Sequence, residues 1–428
     1  MNPLPHGPRR RFAPRAYTRN EESMNAPVIQ DANAWTEREQ LEFFGSPEFA
    51  GILAEVVRPM GLADARITVA ELHHRPGAGV SGVFEATNGS TTLYLGATAE
   101  RLGTVPEGTV HLDSGRGSVI VWLHPADPLL PGLPLATTPT LVEEHWGGGR
   151  VIEELRTLAY RPLRRAVMLA RFGDGQQLFL KVLRKDAELL HGKHLALLAA
   201  GIPVPIPAGP PIDGVLAFHR AHGVPLAEDL MHAPELPLAP QHIIGLLDAL
   251  PQTLLDVPAR PAWSDRLGWY GHAAQTAVPD QAGKIGELLT RLVRILETAH
   301  RGELVPSHGD FYEANIFVEN GTITGLLDID SAGPGYLVDD LACFLGHLAV
   351  LPDLDARYGR VNGYFELYAT AFEAELGNRG ICAKGLYARA ACVVLSLVAG
   401  ARDEANPDWH AVALARLVLV EQLLVRAE

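Results

Sequence analysis

SHGDFYEANIFVENGTITGLLDIDSAGPG, running from Ser307 to Gly335, is the stretch that decides the fold. A His-Gly-Asp triplet opens it, Asn315 follows Asp310 by five residues, and Asp328 follows Asn315 by thirteen. Two short apolar runs lie between them, Ile316-Phe317-Val318 and Gly325-Leu326-Leu327. Glu319-Asn320-Gly321-Thr322 separates the runs, and Asn-Gly between alternating apolar residues signals a tight β-hairpin. The spacing therefore predicts a loop carrying Asp310 and Asn315, a hairpin, and a second loop opening with Asp328. Closing the hairpin brings the two acids and the amide to one of its ends.

Such a constellation suits phosphoryl transfer from ATP. That reaction asks for a group to take the proton of an alcohol and for oxygen ligands to the Mg²⁺ on the triphosphate. Asp310 suits the first task. Asn315 offers a neutral oxygen and Asp328 a charged one, as a hard cation prefers. The bland alternative is a surface loop whose Asp and Asn only make turns. Three residue types at mutually consistent spacings, framed by strands, weigh against it.

The segment resembles the catalytic core of the aminoglycoside phosphotransferase and choline kinase superfamily, a branch of the protein-kinase-like fold. The resemblance implies that Asp310 is the catalytic base and that Asn315 and Asp328 bind Mg²⁺. It also implies that His308 holds the catalytic loop in shape and that Asp330 supports the metal loop. Val338-Asp339-Asp340-Leu341-Ala342 matches the family's later Asp-Leu-Ala, which gives Asp340 the task of bracing the catalytic loop. The stretch 307–342 also resembles an actinobacterial group of phosphotransferases with His-Gly-Asp-Phe-Tyr-Glu-Ala. Aminoglycoside enzymes proper carry other residues after the Asp, a difference that bears on the acceptor and not on the chemistry.

Upstream, RPLRRAVMLARF, Gly173-Asp174-Gly175 and QQLFLKVLR read as strand, tight turn and strand, with Lys181 on the second strand. Kinase-like enzymes keep a lysine there for the α- and β-phosphates of ATP; the alternative is an ordinary strand-end lysine. DAELLHGKHLALLAAG follows as an amphipathic helix stopped by Gly201 and prolines. Its one glutamate, Glu188, is the expected partner of Lys181, although it stands about two residues from the family's position. Phe218 to Gly223, including Arg220 and His222, resembles the hinge that holds adenine through backbone groups. No G-x-G-x-x-G loop precedes Lys181. The corresponding turn is Arg161-Pro162-Leu163-Arg164-Arg165, whose arginines either fork onto phosphates or sit on a solvated hairpin.

An earlier region echoes this one. HRPGAGVSGVFEATNGSTTLYLGAT, from His74, repeats the Arg-Pro, strand, turn, strand order of YRPLRRAVMLARFGDGQQLFLKVLR, from Tyr160. GSVIVWLHPADPLLPGL likewise echoes GVLAFHRAHGVPLAEDL. The repeat predicts a degenerate copy of the nucleotide-binding lobe, with Gly96 standing where the second copy has Lys181. Chance likeness of two generic hairpins is the alternative. A cap of this kind would serve packing, dimerisation into a homodimer, or closure over substrate.

Bulk properties narrow the partners. The chain has 428 residues, 47% hydrophobic and 20% charged, with a formal net charge of −14. An acidic balance argues against nucleic acid and anionic membranes, whose phosphates repel it. Cys343, Cys382 and Cys392 show no metal-type spacing and are expected to be buried free thiols in a reducing, cytoplasmic setting. No apolar run is expected to span a membrane. The first 25 residues are basic and Pro-rich without a hydrophobic core, which reads as a disordered tail and not a secretory signal. Met24 begins a plausible second start. His347, His219 and His222 belong to no partner motif and read as core or surface histidines.

The expected fold class is α+β: a protein-kinase-like two-lobe fold with an additional N-terminal domain resembling a degenerate duplicated N-lobe. The expected organisation is a tail over 1–25, a cap over 26–145, an N-lobe with hinge over 146–225, and a helical C-lobe over 226–428. Apolar residues at i, i+3, i+4 and i+7 mark that lobe's helices, among them HIIGLLDALPQTLLDV and AGKIGELLTRLVRILETAH. ATP and Mg²⁺ are the expected cofactors. A small-molecule hydroxyl acceptor is the expected partner: an amino sugar, another sugar, an aminoglycoside, a macrolide or an amino alcohol. The rival reading is a nucleotide-binding scaffold without turnover, suggested by the displaced Glu188 and the missing Gly-rich loop.

Overall fold

A computed structural model describes residues 35–75, 78–89, 91–102, 108–113, 117–402 and 406–428. The expected tail over 1–25 and the Met24 start lie outside the described residues. Two compact units account for the rest. Residues 35–191 and 207–220 belong to the N-terminal unit, and 192–206 and 221–428 to the C-terminal one.

The N-terminal unit opens with helices α1 (Glu37–Phe44) and α2 (Pro47–Val57). Thr36 and Glu39 form a reciprocal capping box on α1, which satisfies two amide groups that a helix start leaves without partners. The helices pack Phe44, Phe49 and Leu53 against Phe84 and Leu95 of the first sheet. That sheet contains β1 (Arg66–Arg75), β2 (Gly79–Asn88), β3 (Thr91–Thr98), β4 (Thr109–Asp113) and β5 (Ser118–Leu123), in the order β1-β2-β3-β5-β4.

A second sheet runs β6 (Ile152–Arg161), β7 (Arg165–Phe172), β8 (Gln177–Leu183) and β9 (Val215–His219), all neighbours antiparallel. Both sheets therefore follow the same four-strand antiparallel path. Between the third and last strands of that path the first sheet inserts β4, whereas the second inserts helix α3 (Ala187–Ala199). The ladders correct the register of the echo. Gly79 and Arg165 each stand four residues after the arginine of an Arg-Pro pair. Counting from them, Ser81 corresponds to Val167. Val167 pairs with Lys181, whereas Ser81 pairs with Thr98. Thr98, and not Gly96, takes the lysine's place. Gly96 has a different reason to be glycine: a Cβ there would meet the Trp122 ring at 2.2 Å.

The two sheets share a buried junction. Asp127 accepts hydrogen bonds from the Tyr160 hydroxyl and the Leu163 amide, both at 2.7 Å, and from the Leu129 amide at 2.9 Å. The Trp122 indole donates to the Tyr160 oxygen at 3.1 Å. Leu163, wholly buried against Ile120 and Trp122, sits in the β6–β7 turn with φ +65°. Arg164 of the same turn pairs with Glu100. The turn that stands in for a Gly-rich loop is thus fastened to the first sheet, and Arg164, read as a candidate phosphate ligand, has a carboxylate partner.

The C-terminal unit is mostly helical: α4 (Pro240–Asp248), α5 (Leu267–Ala277), α6 (Ala282–Thr298), α7 (Leu337–Leu354), α8 (Val361–Asn378), α9 (Ala383–Val398) and α10 (Trp409–Ala427). The helix expected over HIIGLLDALPQTLLDV is shorter than its pattern. It ends before Pro251, which cannot continue the hydrogen-bond ladder, and a 3₁₀ turn takes Gln252–Asp256. One expectation is corrected here: Ala383–Ala401 is long and apolar enough to cross a membrane by length and composition, yet it is mostly buried within the protein. Its Arg389, 2% exposed, pairs with Asp339 at 3.1 Å. A second correction concerns the thiols. Cys343 and Cys392 are buried, but Cys382 is exposed.

Small ladders position the motif. Strand β10 (Val224–Pro225) pairs with β12 (Ile316–Glu319), which pairs with β13 (Thr322–Leu326). Asn320 (φ +51°) and Gly321 (φ +73°) close the β12–β13 hairpin as the sequence predicts; a two-residue turn with both angles positive matches the strand twist. Strand β11 (Val305–Ser307) pairs with β14 (Gly333–Gly335) and frames the loops on the other side.

Candidate active site

Asp310, Asn315, Asp328, His308, Asp330 and Asp340 all lie in the C-terminal unit, tied together through backbone groups. Asp340, in the first turn of α7, accepts the His308 amide on one carboxylate oxygen and the Gly309 amide on the other, each at 2.8 Å. Burial lifts its carboxyl to about 6, against the lowering effect of those two amides. Gly309 needs its φ of +79° and its missing side chain, since a Cβ would sit 2.8 Å from the Ser331 carbonyl oxygen.

His308 is fully buried and links the two loops. Its Nε2 lies 2.9 Å from the Leu327 carbonyl, and its Nδ1 accepts the Asp310 amide at 3.3 Å. A carbonyl can only accept, so Nε2 carries the proton. Burial lowers the pKa of the ring and favours this neutral form. The histidine thereby spans from the backbone of Asp310 to the residue preceding Asp328.

Asn315 donates through Nδ2 to the Asp310 carbonyl at 3.0 Å, leaving its Oδ1 as an acceptor. Its own carbonyl takes the Leu327 amide at 2.8 Å. Asp328 adopts φ +57°, ψ +43°. A non-glycine residue in that left-handed region costs about 1–3 kcal/mol, and such outliers cluster at functional sites. Two oxygen donors, one neutral and one anionic, on adjoining loops fit Mg²⁺, which takes oxygen ligands and completes its shell with phosphates and water.

Two side chains here were not singled out from the sequence. Glu313 is wholly buried, with no hydrogen-bond partner for either carboxylate oxygen. Burial, with the nearby charge of Asp310, pushes its pKa up to about 8. Lys193 of α3, 5% exposed, donates to the Asp330 carbonyl at 2.8 Å. Its signal was present in the sequence as a lysine inside an apolar helix.

The remaining expected residues are placed as follows. Lys181 lies half-buried on β8, opposite Val167 and Leu216. Glu188 is corrected: it is exposed in the first turn of α3 and, among the described residues, forms no ion pair. The helix phase turns it to solvent. Phe218 lies within β9 with its ring buried, opposite Phe179. Arg220 is exposed and reaches Gln177 at 3.4 Å. His222 is exposed and its carbonyl accepts the Thr324 hydroxyl at 2.8 Å.

Residues 168–374 match the family model described as the phosphotransferase enzyme family. That match spans just under half of the chain. That stretch takes in β8 with Lys181, the loop from His308 to Asn315, the β12–β13 hairpin and α7. Among solved structures, the chain is similar to a thermostable mutant of aminoglycoside phosphotransferase APH(4)-Ia in ternary complex with ADP and hygromycin B. That pair is 18% identical over 67% of this chain and 98% of that one, with a TM-score of 0.46. A choline kinase from Cryptosporidium parvum is 12% identical over 70% and 95%, with a TM-score of 0.44. A macrolide 2′-phosphotransferase from Brachybacterium faecium is 20% identical over 65% and 96%, with a TM-score of 0.38. No curated protein matches the chain.

Proposed function

We propose that this chain transfers the γ-phosphoryl group of ATP to a hydroxyl of a small polar acceptor. The observation that carries the reading is the single hydrogen-bonded web holding Asp310, Asn315 and the Asp328 loop through His308 and Asp340. In this reading Asp310 orients the acceptor hydroxyl and takes its proton as that oxygen attacks the γ-phosphorus; the bond to the leaving ADP breaks in line. Asn315 and Asp328 would hold Mg²⁺, which when bound neutralises charge on the phosphate oxygens. His308 keeps Asp310 in place by fixing its amide, and takes no proton itself. Lys181 keeps the phosphate-binding role that the family resemblance gives it.

The test is acceptor-dependent ADP release with MgATP across amino sugars, neutral sugars, aminoglycosides, macrolides and amino alcohols. Release with one class is expected. Asp310→Ala should abolish it, a loss of about 10²–10⁴-fold for a general base, while ATP binding persists. Asp328→Ala should remove Mg²⁺-dependent ATP binding as well. Full activity in Asp310→Ala would overturn the assignment of the base.

A further inference from the structure

Helix α7 presents Asp340, Cys343 and His347 at spacings of three and four, which places them on one face. Asp340 fastens this face to the catalytic loop through the amides of His308 and Gly309. Further along the face, one ligand atom each from Cys343, His347 and Asp310 lie within 4.8 Å of one another. All three residues are at most 2% exposed. Neither ring nitrogen of His347 has a hydrogen-bond partner. Its ring is fixed by stacking on Tyr312, centroids 4.2 Å apart, and by the edge of Trp263 at 6.3 Å.

We propose that Asp310, Cys343 and His347 form a binding site for a thiophilic divalent cation such as Zn²⁺, and that its occupation closes the catalytic aspartate to the acceptor. One sulfur, one imidazole nitrogen and one carboxylate oxygen are donors that Zn²⁺ accepts. Mg²⁺, a hard ion, takes oxygen and remains with Asn315 and Asp328. Ligand atoms around a tetrahedral Zn²⁺ lie about 3.5 Å apart, as bond lengths of about 2.0–2.3 Å require. The three ligand atoms therefore need to approach by no more than about 1.3 Å. The thiol gives its proton to solvent on binding, and the resulting thiolate and carboxylate together neutralise the dication, so no net charge is buried. Both ring nitrogens of His347 lack hydrogen-bond partners, and a neutral imidazole offers a lone pair to metal.

Metal binding is independent of the proposed reaction, whereas the inhibition rests on Asp310 being the base. Co²⁺ titration of the purified full chain separates the two. One equivalent should produce a near-ultraviolet sulfur-to-cobalt charge-transfer band that Zn²⁺ abolishes and excess Mg²⁺ does not. Cys343→Ser should lose the band, and Cys382→Ser should keep it. His347→Gln should weaken Co²⁺ by about tenfold or more, which serves as the check if Cys343→Ser fails to fold. No band in the wild type, or a band that survives Cys343→Ser, would overturn the site, as would unchanged affinity in His347→Gln. One equivalent of Zn²⁺ with Mg²⁺ in excess should lower turnover by about 100-fold, the share a general base supplies. A band with undiminished turnover would keep the site and overturn Asp310 as the base.

Discussion

Asp127 offers the sharpest test of how the first sheet is fastened to the second. The carboxylate is 5% exposed and accepts three hydrogen bonds, from the Tyr160 hydroxyl and from the Leu163 and Leu129 amides. Asp127→Ala leaves all three donors without it. Leu163 is wholly buried, so its amide has no water to turn to. A hydrogen bond to a charged group contributes about 1.5–3 kcal/mol, and a stranded buried donor costs about 1–3 kcal/mol. Against this stands the relief of no longer burying a carboxylate whose pKa burial raises. The balance is a loss of about 2–4 kcal/mol in the N-terminal unit. Asp127→Asn keeps one oxygen acceptor and the volume, and should lose about half as much. Urea unfolding followed by tryptophan fluorescence is the assay, because Trp122 donates to Tyr160 within the same junction. A loss below about 0.5 kcal/mol in Asp127→Ala, the range of an ordinary surface substitution, would refute the claim that this carboxylate joins the sheets.

Glu313→Gln should change the pH dependence of stability. Burial lifts the Glu313 carboxyl to about 8, so between about 4.5 and 8 the folded state keeps a proton that the unfolded chain has released. Wild-type stability therefore falls as pH rises through that window, by up to about 1.4 kcal/mol per unit from this group. The variant lacks that slope, and parallel wild-type and variant curves in urea unfolding at stepped pH would contradict the assignment. Lys193→Met should remove its hydrogen bond to the Asp330 carbonyl and raise the Mg²⁺ concentration needed for half-maximal turnover by about tenfold, the equivalent of one hydrogen bond from a charged donor. Lys193→Arg should restore part of it; an unchanged Mg²⁺ requirement in Lys193→Met would remove the lysine from the metal loop's support. Gly96→Ala should cost about 1–3 kcal/mol by overpacking against the Trp122 ring, and combining it with Trp122→Leu should recover stability in the same unfolding assay.

What was legible in the sequence was what is local. Asn320-Gly321 names its own turn because few other pairs tolerate two positive φ angles, and the hairpin then dictates that Asp328 follows it. The stop at Pro251 is equally local, yet the apolar spacing of HIIGLLDALPQTLLDV carried the expected helix past it. What failed was whatever depends on a partner far along the chain. Arg164 showed a charge in a turn, but not that Glu100, 64 residues earlier, would take it. Leu163 had no assigned task in its turn, yet its amide donates to Asp127, 36 residues away.

The phase of α3 is the most instructive of these cases. Apolar periodicity reveals that a helix exists, yet each residue turns its side chain by about 100°. A shift of one position therefore decides whether Glu188 meets Lys181 or faces solvent. The helix sends Glu188 outward and buries Lys193 against the carbonyl of Asp330. The contact thus made from Lys193 to the Asp328–Asp330 loop is a cation on a backbone oxygen. If the Lys193 variants behave as expected, this helix supports the Asp328–Asp330 loop directly, and the exposure of Glu188 no longer argues against turnover.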